Sequence, residues 1–199
     1  RALVRGGADH MERYRRAAVW FLVGAVLLAL GTYLRNNAGD SGLGTIPLPA
    51  SSGNLPEPIA GVPCVSGLHE TATYFAYPHL DVYVDGQPVE VPAGVGVVVD
   101  SAGEEVCMYL LHTHDAKGTL HVEAPEPGTF TLGQFFDVAG VPLSLTNVAG
   151  FEVQDGQQVR AFLDGTEMTP LTAEALRGIE LLDGRQIVIE IGPPWVPAP

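Results

Sequence analysis

Beyond Arg35 the chain is almost without positive charge. Residues 36–199 hold four basic residues, Lys117, Arg160, Arg177 and Arg185, against 21 acidic ones, a formal charge of −17 with His neutral. Such a surface repels phosphate backbones and anionic headgroups, which argues against nucleic acid or acidic lipid as a partner of this part. It attracts cations. Cysteine is equally scarce: Cys64 and Cys107 are the only two. They offer one disulfide or a lone thiolate ligand. Cys107 lies five residues before His112, on the opposite strand face, which weakens it as a ligand. No phosphate-binding loop, nucleophile elbow or zinc-protease helix motif is present. Gly94-Val-Gly96 is too short for a nucleotide fingerprint, and Ser101 and Ser144 stand in no motif. No solenoid-type repeat is visible.

What the chain does have begins with residues 17–34, AAVWFLVGAVLLALGTYL, eighteen residues with no charge. At about 1.5 Å of rise per residue a helix of that length crosses a bilayer. Arg1, Arg5, Arg13, Arg15 and Arg16 precede it and Arg35 follows. The positive-inside rule therefore places residues 1–16 in the cytoplasm and everything after residue 34 on the cell exterior. A retained single-pass transmembrane anchor is the expectation. A cleaved signal peptide is its rival, but Asn36-Asn37-Ala38 is a poor cleavage site. A buried core helix fits badly with basic flanks and apolar residues all round. Met11 is a candidate start, which would make residues 1–10 upstream sequence.

Residues 36–63 read as a linker rich in Gly, Pro, Ser and Ala. Residues 64–193 are long enough for one core, and residues 194–199 form a Pro-rich tail. In an exterior domain thiols oxidise, so Cys64 and Cys107 are expected to form a disulfide. The predicted elements are mostly strands. Residues 79–84 alternate, Asp85-Gly86 is a hairpin signal, and residues 88–91 answer it. Residues 94–99, 158–163 and 186–191 read as further strands. Thr131 and Gln134 have capping-box spacing, which predicts a helix over 131–139 ended at Gly140, with Phe135 or Phe136 buried. Residues 172–177 suggest a second short helix. The fold class is mainly β or α+β, a small antiparallel domain with one or two short helices.

The candidate site lies in CMYLLHTHDAKGTLHVE, residues 107–123. Residues 108–114 and 119–123 read as strands, joined by turn chemistry at Asp115-Ala-Lys-Gly118. A four-residue loop sets His112 opposite His121 and His114 opposite Thr119. Side chains alternate along a strand, so His112, His114 and His121 fall on one face. Opposed Cβ atoms about 5 Å apart let two imidazoles share a metal ion. His79 is the first choice for a fourth ligand and His69 the next. Glu70, Asp115 and Glu123 are weaker choices, although Glu123 shares the histidine face and is a candidate general base. Asp115 is better placed to cap the turn.

Locally this hairpin resembles the zinc hairpin of alpha-type carbonic anhydrases, where His-x-His on one strand is joined by a His from its neighbour. More extensively, residues 79–96, 107–125 and 130–144 resemble a family of membrane-anchored prokaryotic exterior domains. Its signatures appear here as HxHDxxGxxHxE, from His112 to Glu123, and FTLGQFFD, from Phe130 to Asp137. That resemblance covers roughly a third of the chain and implies an anchored exterior domain, with no activity attached. The family's region before His79 often carries extra histidines; here Tyr77 and Pro78 stand there, leaving His79 as the matching position.

Three functions fit these residues. The first is a metal-binding exterior domain, taking copper or zinc through the histidines for handling or sensing, since imidazole ligands with little sulfur suit both ions. The second is a metal-dependent enzyme in which three histidines hold an activated water. The third is a protein-interaction domain with a structural or pH-responsive histidine cluster.

Overall fold

The computed structural model describes residues 55–196. The anchor segment 17–34, the basic segment before it and most of the linker lie outside the described residues. Among the described residues no helix is long and apolar enough to cross a membrane.

In chain order the elements are β1 (Cys64–Val65), α1 (Leu68–Thr71), β2 (Tyr74–Ala76), β3 (His79–Val84), β4 (Gln87–Val89), β5 (Val97–Val99), β6 (Glu105–Tyr109), β7 (Leu111–His112) and β8 (His121–Ala124). There follow α2 (Leu132–Val138), β9 (Asn147–Val148), β10 (Phe151–Glu152), β11 (Gln158–Leu163), β12 (Thr166–Glu167), α3 (Ala173–Arg177) and β13 (Gln186–Gly192). The largest sheet runs β12-β11-β13-β3-β4; two three-stranded sheets run β2-β8-β7 and β1-β6-β5. The domain is thus mainly β with three short helices rather than one or two.

The sheets are not purely antiparallel, because β13 pairs with β3 in parallel. These strands are joined through most of the domain, so no hairpin dictates their direction. β13 reads as a central strand: Ile187, Val188, Ile189, Glu190 and Ile191 are all buried, and alternation cannot show direction in a strand covered on both faces. The β3–β4 hairpin turns at Asp85 and Gly86, with φ of 53° and 71°, the left-handed pair that a tight hairpin requires.

The α2 helix begins as its sequence dictates. The Thr131 hydroxyl accepts from the Gln134 N–H, and the Thr131 N–H donates to Gln134 Oε1. Phe135 and Phe136 are both buried. In α3 the Thr172 hydroxyl accepts from the Ala175 N–H. The two helices approach closely at Gly133, where an added Cβ would come 2.9 Å from both the Cβ and the carbonyl oxygen of Arg177.

The disulfide joins Cys64 and Cys107, tying β1 to β6. Two further features place the site. The run 108–114 is not one strand: β6 ends at Tyr109 in one sheet and β7 belongs to another. Leu110 turns the corner, donating its N–H to the Pro63 carbonyl and accepting from the Glu123 N–H. The packed domain also extends past both expected borders. Val62 is buried, the Tyr109 hydroxyl donates to the Glu57 carbonyl, and the Trp195 ring lies 4.8 Å from the Arg160 guanidinium.

Candidate metal centre

The register of the β7–β8 hairpin pairs Leu111 with Val122 and His112 with His121, as a four-residue loop requires. Pairing stops there. Thr119 bridges to His79 rather than to His114, so residues 113–118 leave the ladder. His114 is then set by its neighbour. Thr113 is fully buried; its hydroxyl donates to the Pro92 carbonyl at 2.6 Å and accepts from the Val95 N–H at 3.1 Å. Its backbone N–H and carbonyl pair with Val95 O and Gly94 N. With every polar group of Thr113 satisfied, the flanking imidazoles are held on one side.

His112, His114, His121 and Glu123 each offer one ligand atom, and these atoms all lie within 4.8 Å of one another. The Nε2 atoms of His112 and His114 are 3.2 Å apart, close to the edge of about 3.3 Å that a tetrahedron with bonds of 2.0–2.1 Å demands. Ring centroids are 4.7 Å apart for His112–His114, 4.6 Å for His114–His121 and 5.3 Å for His112–His121. The ligand atoms span up to 4.8 Å, wider than a tetrahedral edge, so a bound ion would draw the set inward through side-chain torsions.

The protonation pattern favours a cation. His112 Nδ1 lies 2.9 Å from the Tyr109 carbonyl oxygen. A carbonyl only accepts, so Nδ1 carries the proton and Nε2 presents its lone pair to the centre. Burial pushes the His112 imidazole down to about 4, against the Tyr109 hydrogen bond, which favours the charged form. Burial, with His121 and His69 nearby, also lowers His114. Neutral imidazole is the form that binds metal. For Glu123, burial pushes the carboxyl up, but the hydrogen bond from His121, with His112 and His69 beside it, outweighs this and leaves it below the ordinary range. It is therefore a carboxylate. Its Oε1 lies 3.2 Å from His121 Nδ1 and 4.0 Å from His112 Nε2; its Oε2 lies 2.9 Å from His69 Nδ1.

Glu123, not His79, completes the group. His79 Nε2 faces Asp81 Oδ1 at 3.4 Å, and the β3 strand that carries it belongs to the other sheet. Asp115 caps its loop, accepting from the Lys117 N–H and pairing with the Lys117 ammonium. His69 sits at the rim, half exposed, its ring stacked on His114 with centroids 5.4 Å apart. Cys107, bonded to Cys64, is no thiolate ligand. Sequence reasoning missed two contributors. Tyr77 packs its ring edge-on against His121 at 5.0 Å, and the Tyr109 carbonyl fixes the His112 tautomer. No side-chain pattern signals a backbone carbonyl, whereas alternation from His121 to Glu123 could have promoted Glu123 above His79.

No protein-family model matches the chain, and no curated protein or solved structure is similar to it.

Proposed function

We propose that this protein binds a transition-metal ion, copper or zinc, at His112, His114, His121 and Glu123, in order to handle or sense it. The observation that carries the reading is the pair of Nε2 atoms 3.2 Å apart, one of them with its lone pair fixed inward by the Tyr109 carbonyl. His114 is exposed and His121 half-buried, so an ion held here meets solvent on one side. That suits exchange with a partner better than permanent structural storage. A solvent-facing side also suits the second reading, a metal-dependent enzyme in which the three histidines alone hold the ion with a water and Glu123 acts as the base instead of a ligand.

The apolar segment 17–34 and the arginine excess before it support a location on the cell exterior, held by a single transmembrane helix. The disulfide agrees with an oxidising compartment. The test uses the full chain purified without a metal-binding tag. Titration with Zn(II) and Cu(II) should give one tight site per chain, and His112→Ala should weaken it at least about a hundredfold, while His79→Ala leaves it unchanged. A native chain that takes up neither ion would end the proposal.

A further inference from the structure

Glu123 spends one oxygen on the centre and the other on a histidine outside it. His69 comes from α1, a four-residue turn. The Leu68 side chain is fully buried, Gly67 enters at φ 63°, and the Ala72 N–H closes the turn onto the Leu68 carbonyl at 2.8 Å. The turn is therefore anchored, and it carries His69 to a fixed place. There His69 Nδ1 lies 2.9 Å from Glu123 Oε2. A carboxylate accepts only, so His69 Nδ1 is the donor. Glu123 is almost fully buried while the His69 side chain is half exposed, so the bond joins the interior of the site to its rim.

We propose that His69 is a positioning residue: it holds Glu123 Oε2 and so presents Oε1 alone to the metal, as a single-oxygen ligand. This rests on the metal reading of the same cluster. Without the His69 donor the carboxylate keeps only its contact with His121, through Oε1 at 3.2 Å, and its terminal torsion is held at one oxygen instead of two. The orientation in which Oε1 faces His112 and His121 is then less firmly held. Hydrogen bonds from outside a metal's own ligands orient those ligands, and removing one weakens affinity by about 10–100-fold.

A merely structural role is the competing explanation, since His69 also stacks on His114. Three variants of the full chain separate the two. His69→Ala removes the donor. His69→Gln keeps bulk but shifts the donor away from the Nδ1 position, and serves should the alanine variant fold poorly. His69→Asn places an amide N–H where Nδ1 stands. The readouts are Zn(II) affinity by chelator competition, the nitrogen couplings in the Cu(II) electron paramagnetic resonance spectrum, and the melting temperature of the metal-free chains.

The expected result is a Zn(II) affinity about 10–100-fold weaker for His69→Ala and His69→Gln. His69→Asn should recover most of that loss, and all variants should show the nitrogen couplings of the native protein. Three outcomes would overturn the proposal: native affinity in His69→Ala and His69→Gln, an asparagine variant as weak as alanine, or the loss of one coupled nitrogen, which would make His69 itself a ligand. A native chain that binds neither ion would instead remove the metal reading on which the proposal stands.

Discussion

An imidazole without solvent contact resists protonation, and His112 is such a group, with no exposed surface. Its value of about 4 in the folded chain lies well below the ordinary 6.5 of an unfolded one. Between those two values the unfolded chain takes a proton that the folded chain refuses. The contribution of His112 to stability is therefore complete above about pH 6.5 and declines as pH falls toward 4. The difference amounts to on the order of 3 kcal/mol. Glu123, depressed by its histidine partners, acts in the same direction: its contribution is present above the ordinary carboxylate value and is lost as pH falls through its lowered one. Urea melts of the metal-free chain at pH 7, 6 and 5 should show stability falling at each step. His112→Asn should flatten most of that slope, because a neutral amide cannot take the proton. A slope unchanged in the variant would mean that other groups carry it.

At the scale of elements, the legible parts are those specified by local chemistry. The Thr131–Gln134 box, the Asp85-Gly86 turn and the alternation of β3 each depend on residues a few positions apart, and each forms where the sequence places it. The His112–His121 pairing is legible for the same reason, because four turn residues set its register. The corner at Leu110 is not, since a strand that changes sheets keeps its apolar character throughout. The choice of Glu123 over His79 was half legible: alternation puts Glu123 on the histidine face, while the exclusion of His79 was hidden. That exclusion depends on which sheet β3 joins, and β3 joins β13, about a hundred residues further along the chain. Tertiary contact likewise reverses a propensity at Gly133. Alanine in a helix is favoured over glycine by up to about 1 kcal/mol, a preference that by itself would make Gly133→Ala stabilise α2. The 2.9 Å approach of a Cβ to the Arg177 backbone forces α2 and α3 apart instead. Gly133→Ala should therefore destabilise, by about 1–3 kcal/mol. Phe135→Ala, which empties the buried side of the same helix, should cost about 3–5 kcal/mol. Chemical denaturation of both variants checks the pair, and a stabilised Gly133→Ala would show that the interhelical contact yields easily.

Across the whole molecule, one covalent link connects the border of the domain to the centre. Cys64 and Cys107 are 43 residues apart in sequence, and closing a loop of that size stabilises by about 4 kcal/mol in the chain-entropy model. Position gives the link a second consequence. In the β1–β6 ladder Cys64 pairs with Tyr109, and the Tyr109 carbonyl is the group that fixes the His112 tautomer. The Leu110 N–H, donated to Pro63 beside Cys64, holds the same corner. Reducing the disulfide leaves every proposed ligand chemically intact but loosens the strand that aims one of them. A link that only stabilised the fold would change the melting point and leave the affinity of the remaining folded chains untouched. We expect both to change. The Cys64→Ser, Cys107→Ser double variant should lose about 4 kcal/mol of stability. At a temperature where it is still folded, its Zn(II) affinity should fall by about tenfold, the lower end of what losing an orienting contact costs. Chelator competition on the native chain, with and without a reductant that does not itself bind zinc, measures the same effect without mutation. Equal affinities in the oxidised and reduced folded chains would confine the disulfide to stability alone and leave the orientation of His112 to the backbone ladder.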